Sequence, residues 1–422
     1  MEYLNTKEFA HQMDSTDPLR SYRDQFYFPK HTNGEQAIYL CGNSLGLQPK
    51  SAKRYIEAVL HDWRYLGVKG HFEGEHPFTT YHEVLGEQMA RIVGGRKEEV
   101  VAMNSLTVNL HLMMVSFYRP EQGRYKILIE KNAFPSDQYA VKSQLEFHGY
   151  DPKDGLLELE PRAGEDILRT EDILDLIKAK GNEIALIMIG GLNYYTGQAY
   201  DMEKITEMGH KMGCMVGFDL AHGAGNLNLS LHDWDVDFAV WCTYKYMNSG
   251  PGGIAGCFVH QRHLQRKDLR RFAGWWGHDK ATRFLMDDTF VPIQGAEGWQ
   301  MSNETVLSMA ALKASLEIFE EVGMKAIVKK SRLLTRYLEF LIEELKSDRI
   351  QIITPKQTDA RGAQLSIRVI NSDKSLFKAI SEKGVIADWR EPDVIRIAPA
   401  PLYNSFMDVF NFVEILRTEL RI

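Results

Sequence analysis

The sequence predicts an α/β protein: a mostly parallel sheet between helices, followed by a smaller α+β unit. Three observations predict it. Short apolar runs alternate with helical segments between residues 100 and 245; the runs are apolar throughout, as in strands buried on both faces; and beyond a long helix the pattern changes to strict alternation. The strand runs are 100–103, 127–129, 184–189, 215–218 and 238–242, with helices expected at 171–180 and at 202–212, the latter stopped by Gly213. Helical crossovers of that kind join parallel strands. The spacing of Val306, Met309, Leu316 and Phe319 predicts one helix over 305–322, capped by Asn303 and stopped by Gly323. A helix over 333–345, an alternating strand over 364–369 and strand pieces near Ile386 and Ile395 then make up the smaller unit. Internal repeats and Gly-Ser linkers are absent, so the two units are expected to pack together.

With 44% hydrophobic and 25% charged residues, the 422-residue chain is neither disordered nor fibrous. A net charge of -7 without basic blocks argues against a nucleic-acid surface. The four cysteines, Cys41, Cys214, Cys242 and Cys257, are widely separated, which suggests a reducing compartment. No apolar run approaches the roughly twenty residues that span a bilayer, and the N-terminus lacks a signal-peptide core. The expectation is a cytoplasmic protein with no membrane partner.

Lys245 follows the apolar run 238–242, between Tyr244 and Tyr246. An ammonium at the end of a buried strand must be paired, exposed or neutralised, and a Schiff base is its most useful neutral form. Asp219 ends the strand before it, and ligands gather at the carboxyl ends of strands in open α/β sheets. A carboxylate there suits the ring nitrogen of pyridoxal phosphate, keeping the ring an electron sink. A second chemistry has a foothold in Gly42-Asn43-Ser44-Leu45-Gly46, which fits the nucleophile elbow of serine hydrolases with Ser44 as nucleophile; no His-Gly-Gly run accompanies it. The polar loop carrying His71, Glu73, Glu75, His76 and His82 fits no zinc spacing, so no metal is expected.

The blocks 217–222, 231–234 and 241–246 resemble the kynureninase family, as do 42–47, 106–111, 134–137, 396–399 and 401–405. Kynureninases are fold-type I pyridoxal-phosphate hydrolases. The resemblance runs in order along nearly the whole chain. It implies a large domain (46–304) with a mostly parallel, seven-stranded type of sheet between helices, a smaller α+β C-terminal domain (305–422), and an N-terminal arm (1–45) packed on the small domain. It assigns Lys245 to the cofactor's Schiff base, Asp219 to the pyridine nitrogen and His222 to a place beside the ring. Tyr244, Thr107 and the backbone near Leu106 would meet the phosphate. Phe134, followed by Pro135, would stack on the ring, and Ser136 and Asp137 would touch its edge. Trp275 and Asn303 would complete the pocket from the other subunit of a homodimer. Arg396 would take the carboxylate of an amino-acid substrate, with Ser44 lining the pocket. Gly190 departs from relatives that carry serine, so any hydroxyl contact from that position is lost.

The implied reaction hydrolyses the β,γ carbon–carbon bond of kynurenine or 3-hydroxykynurenine to an anthranilate and alanine, in tryptophan degradation or NAD synthesis. Lys245 and Tyr244 would carry protons. His71 and the pair Ser302-Asn303 imply preference for the 3-hydroxy substrate, because polar groups arranged for a hydroxyl penalise the analogue lacking it. The nearest rival is another fold-type I enzyme such as a cysteine desulfurase, which needs a reactive cysteine that none of the four resembles.

Overall fold

The computed structural model describes residues 2–371 and 374–421. A two-residue strand, β1 (Ile38–Tyr39), precedes the main sheet, which is built from β2 (Val100–Ala102), β3 (Lys126–Glu130), β4 (Leu156–Leu159), β5 (Ile184–Gly190), β6 (Met215–Asp219), β7 (Phe238–Trp241) and β8 (Gly256–Val259). Their order is β2-β8-β7-β6-β5-β3-β4. From β4 to β7 every pairing is parallel; β8 runs antiparallel to both β7 and β2. The uninterrupted apolar runs follow from double-sided burial. In β5, Ile187 and Ile189 join the apolar cluster on one face, and Leu186 and Met188 join the cluster on the other.

The topology also says where a ligand should sit. The chain leaves β3 for β4 on one side, then returns across β3 to β5 and proceeds to β6 and β7 on the other. The seam between β3 and β5 is therefore a switch point, where the carboxyl ends of neighbouring strands open a crevice.

Four further strands, β9 (Ile350–Ile352), β10 (Leu365–Val369), β12 (Asp388–Arg390) and β13 (Val394–Ile397), form an antiparallel sheet in the order β12-β13-β10-β9. The short β11 (Val385–Ile386) instead pairs in parallel with β1. Ala10 and Met13 of the N-terminal helix Lys7–Ser15 share an apolar cluster with Leu338, Leu341, Phe412 and Leu416. The helix Val306–Val322 packs the other way: Met309, Leu312, Leu316 and Phe319 belong to a cluster against the main sheet. Asn303 does not cap it. The cap position is Thr305, whose backbone is extended (φ -76°, ψ 90°) and whose side chain makes no capping bond, and the helix starts at Val306, one residue later than expected. The following helix begins at Met324, directly after Gly323, well before the expected 333. Among the described residues no helix is long and apolar enough to cross a membrane.

Gly217 lets β6 lie against an aromatic ring, since a Cβ there would fall 2.1–2.5 Å from ring atoms of the fully buried Phe238. Phe238 cannot withdraw, because Phe117 stacks on it at 5.0 Å. Gly217→Ala should therefore cost about 1–3 kcal/mol through overpacking, seen as a lower denaturation midpoint with an unchanged slope.

Candidate active site

Four strand ends converge on one cavity: Glu130 closes β3, Gly190 closes β5, Asp219 closes β6, and Lys245 lies just beyond β7. The cavity is open to solvent, and its wall also includes Leu106, Thr107, Phe134, Ser136 and Tyr244. Two helices aim their N-termini at it. Leu106–Phe117 starts without a side-chain cap, leaving its first amides to the cavity, and Pro135–Phe147 starts with proline at its first position, where the missing N–H costs nothing. The hydroxyls of Thr107 and Ser136 join the two starts at 2.8 Å.

Lys245 Nζ donates to His222 Nε2 at 3.1 Å and lies 5.8 Å from the centre of the Phe134 ring. Burial, reinforced by the lysine charge, pushes the His222 imidazole well below its ordinary pKa and keeps it neutral, and its Nδ1 has no partner among the described residues. Asp219 Oδ1 accepts from the Ala221 N–H at 2.6 Å. Burial raises Asp219, and burial together with the neighbouring charges of Asp219 and Glu130 raises Asp137 further, so Asp137 holds the proton and donates it to Asp219. Burial also lifts the Tyr244 phenol above its usual range, which leaves it a proton donor at neutral pH.

The loop carrying Lys245 is buttressed from the N-terminal segment. The Gly46 N–H donates to the Tyr244 carbonyl at 2.8 Å, and a Cβ on Gly46 would lie 2.3 Å from the Lys245 carbonyl. The glycine is there for close approach, which accounts for the elbow-like spacing around Ser44.

The structure thus brings together Leu106, Thr107, Phe134, Ser136, Asp137, Asp219, His222, Tyr244 and Lys245. The other sequence-predicted residues stand outside this wall. Pro135 turns the backbone between Phe134 and Ser136. Arg396 is buried behind Tyr194: it donates to the Tyr194 carbonyl at 2.8 Å, pairs with Asp388, and has an Nε without a partner among the described residues. Ser44 is half-buried beside Cys41, whose carbonyl accepts the Ser44 N–H at 3.0 Å. His71 ends a short 3-10 turn with its ring edge-on to Phe78 at 5.8 Å. Trp275 donates from Nε1 to the Arg283 carbonyl and is 45% exposed, and Ser302 and Asn303 are exposed. Sequence reasoning missed Glu130, Leu192, Tyr194 and Ala221, and set Gly190 aside. Glu130 carried the same signal as Lys245, a charge ending an apolar run.

A lysine amine, a buried carboxylate, an aromatic face and free helix amides around one cavity fit an aromatic aldehyde bearing a phosphate; the unpartnered His222 Nδ1 and Asp137 Oδ1 mark buried polar positions left for a ligand. Among solved structures, the chain resembles a cysteine desulfurase from Thermococcus onnurineus NA1 (TM-score 0.73, 16% identity, all of both chains) and the cysteine desulfurase CsdA from Escherichia coli (TM-score 0.75, 16% identity, 96% of this chain and 98% of that one). At such identity the likeness is one of fold, and the class it defines is fold-type I. The sequence relationships are narrower. The chain is 57% identical over 419 residues to a kynureninase of Myxococcus xanthus (99% of this chain, 98% of that one) and 49% identical over 438 residues to one of Nematostella vectensis (99% and 94%), and residues 327–416 match the family model of the kynureninase C-terminal domain. The chain belongs to the kynureninase family. Neither a desulfurase nor a serine hydrolase is favoured beside that identity, and burial pushes the Cys41 thiol up to about 12 and the Cys214 thiol up to about 11, the reverse of an activated nucleophile.

The two helix starts make a prediction that needs no substrate. Inorganic phosphate should raise the unfolding temperature of the cofactor-free protein, and Thr107→Val combined with Ser136→Ala should shrink the increment; an increment unchanged by the substitutions would place the anion elsewhere.

Proposed function

We propose that this cavity is where the chain performs the reaction of its family, hydrolysing the β,γ carbon–carbon bond of kynurenine, or of its 3-hydroxy derivative, to an anthranilate and alanine. The observation that carries the reading is the convergence of Lys245, Asp219, His222 and Phe134 on one cavity in a chain related to kynureninases over its full length.

Pyridoxal phosphate would be held covalently through Lys245 Nζ, with Asp219 toward the ring nitrogen, Phe134 on the ring face, and Thr107, Tyr244 and the Leu106 amide toward the phosphate; Ser136, bonded to Thr107, would join them there and not at the ring edge that the sequence suggests. Once bound, it supplies a conjugated ring that takes up the electron pair left when the substrate's α-proton departs. Arg396, with its free Nε, receives the substrate carboxylate. Lys245 Nζ, freed once the substrate's own amine takes its place, removes the α-proton. Neutral His222 holds that amine by hydrogen bond without adding a second positive charge. Water adds to the γ-carbonyl, the bond between the β- and γ-carbons breaks, and a proton returns to the β-carbon. Tyr244 is the donor suited to that last transfer, because its phenol stays protonated.

The reading extends to partners and substrate choice. The chain works as a cytoplasmic homodimer in which Trp275 and Asn303 face the other subunit's cavity. His71, Ser302 and Asn303 favour the 3-hydroxy substrate. Exposure of Trp275 and Asn303 in the single chain supports a role across an interface.

Lys245→Ala should abolish both the visible band of the bound cofactor and the release of alanine; near-normal alanine production would mean that another lysine carries the chemistry. The parent should show higher kcat/KM for 3-hydroxykynurenine than for kynurenine, with the ratio reduced in His71→Ala, and preference for the unsubstituted substrate would sink the specificity reading. Light scattering should return the mass of two chains; a single-chain mass would leave Trp275 and Asn303 without a cavity to face.

A further inference from the structure

One buried ionisable group in the cavity wall has no part in the reaction set out above. Glu130 is 4% exposed, and both of its carboxylate oxygens lie 3.2 Å from the Gly190 N–H at the end of the neighbouring strand. Gly190 is in turn the strand partner of Asp219. The fit is close: a Cβ on residue 190 would fall 2.9 Å from Glu130 Oε1. The groups that face Glu130 are Asp219 from β6, Asp137 from the helix Pro135–Phe147, and the phenols of Tyr194 and Tyr200 from the segment after β5. Its neighbour Lys131 points away, to Glu160 at 2.7 Å. Glu130 and Tyr194 also line a second cavity, bounded by Asn132, Asn193 and Tyr195 and open to solvent. Glu130 therefore has a path for proton exchange that does not pass Lys245.

We propose that Glu130 is a positioning residue that acts through Asp219: it pins the strand end against which Asp219 is paired, and its proton sets how much negative charge stands behind the cofactor's ring nitrogen. The proposal rests on the cofactor reading above. The three buried carboxyls feel one another's charge, which sets them against ionising together. Burial pushes Glu130 up to about 7, so the second charge appears around neutrality. Below that pH Asp219 alone supports a protonated ring; above it, Glu130 adds its charge.

The test uses the full-length holoenzyme and reads the absorption band of bound pyridoxal phosphate against pH, together with kcat and KM. The parent should show a transition near pH 7. Glu130→Gln keeps an acceptor for the Gly190 N–H but cannot ionise; it should retain the cofactor, lose the transition, and lower kcat about tenfold with KM little changed, while Glu130→Asp restores the transition at a shifted pH. Gly190→Ala, whose methyl must displace the Glu130 carboxyl, should shift the transition in the parent and do nothing further in Glu130→Gln. A transition that survives Glu130→Gln with parental kcat overturns the proposal. So does a Gly190→Ala shift of equal size in both backgrounds. If Glu130→Gln fails to fold, an unshifted transition in Gly190→Ala overturns it alone. A parent that takes up no pyridoxal phosphate defeats the cofactor reading and this inference together, whereas cofactor uptake with an unmoved transition defeats only this one.

Discussion

Parallel pairing sends every strand's carboxyl end to the same edge of the sheet, and the site depends on that constraint. Glu130, Gly190, Asp219 and Lys245 come from widely separated parts of the chain, yet they share one cavity because β3, β5, β6 and β7 are neighbours running in one direction. The same constraint creates an electrostatic problem. Strand ends buried by helices on both faces have little solvent to screen their charges, so the edge holds a lysine, a neutral imidazole and three carboxyls that share fewer than three charges.

Another buried carboxylate shows what the site lacks. Asp237 is as hidden as Glu130, but it accepts from the Val216 N–H at 2.7 Å and meets His263 at 2.7 Å, His210 at 2.9 Å and Arg262 at 2.5 Å. Burial works against its charge, and the two histidines outweigh burial and hold it below the ordinary carboxylate range. Asp237 is a fixed anion that ties β6 and β7 to the helix Gln261–Leu264. Glu130, held by backbone donors at Gly190 and at its own N–H and with no cation beside it among the described residues, is left able to titrate.

Much of this could be read in the sequence, for reasons that differ by residue. Lys245 and Asp219 stood out because a charge at the end of an apolar run has few structural uses. Glu130 obeys the same rule, but Lys131 and Asn132 follow it, and the three together read as the start of a polar turn. Strand β4 is half-exposed at the sheet edge and carries Glu158, so it lacks the signature of double burial. Strand β8 opens with Gly256, which gives way to the Trp241 ring at the cost of an interrupted apolar run. Tyr194 lies in an aperiodic loop. His71, Trp275, Ser302 and Asn303 were marked by motif alone, and motif does not fix where a loop residue stands; in the single chain they stand away from the cavity.

The contact between Gly46 and the Tyr244 carbonyl has a mechanical meaning as well as a steric one. A few residues upstream, β1 is hydrogen-bonded to β11, and Cys41 is bridged to Ala398 just past β13. The segment from Ile38 to Gly46 is thus a short tether with one end fastened to the C-terminal part of the chain and the other to the loop bearing Lys245. Any rotation of the antiparallel sheet against the parallel one must pull on, or slacken, the backbone of the lysine loop, so the reactive amine is held in place in part from outside the sheet that presents it.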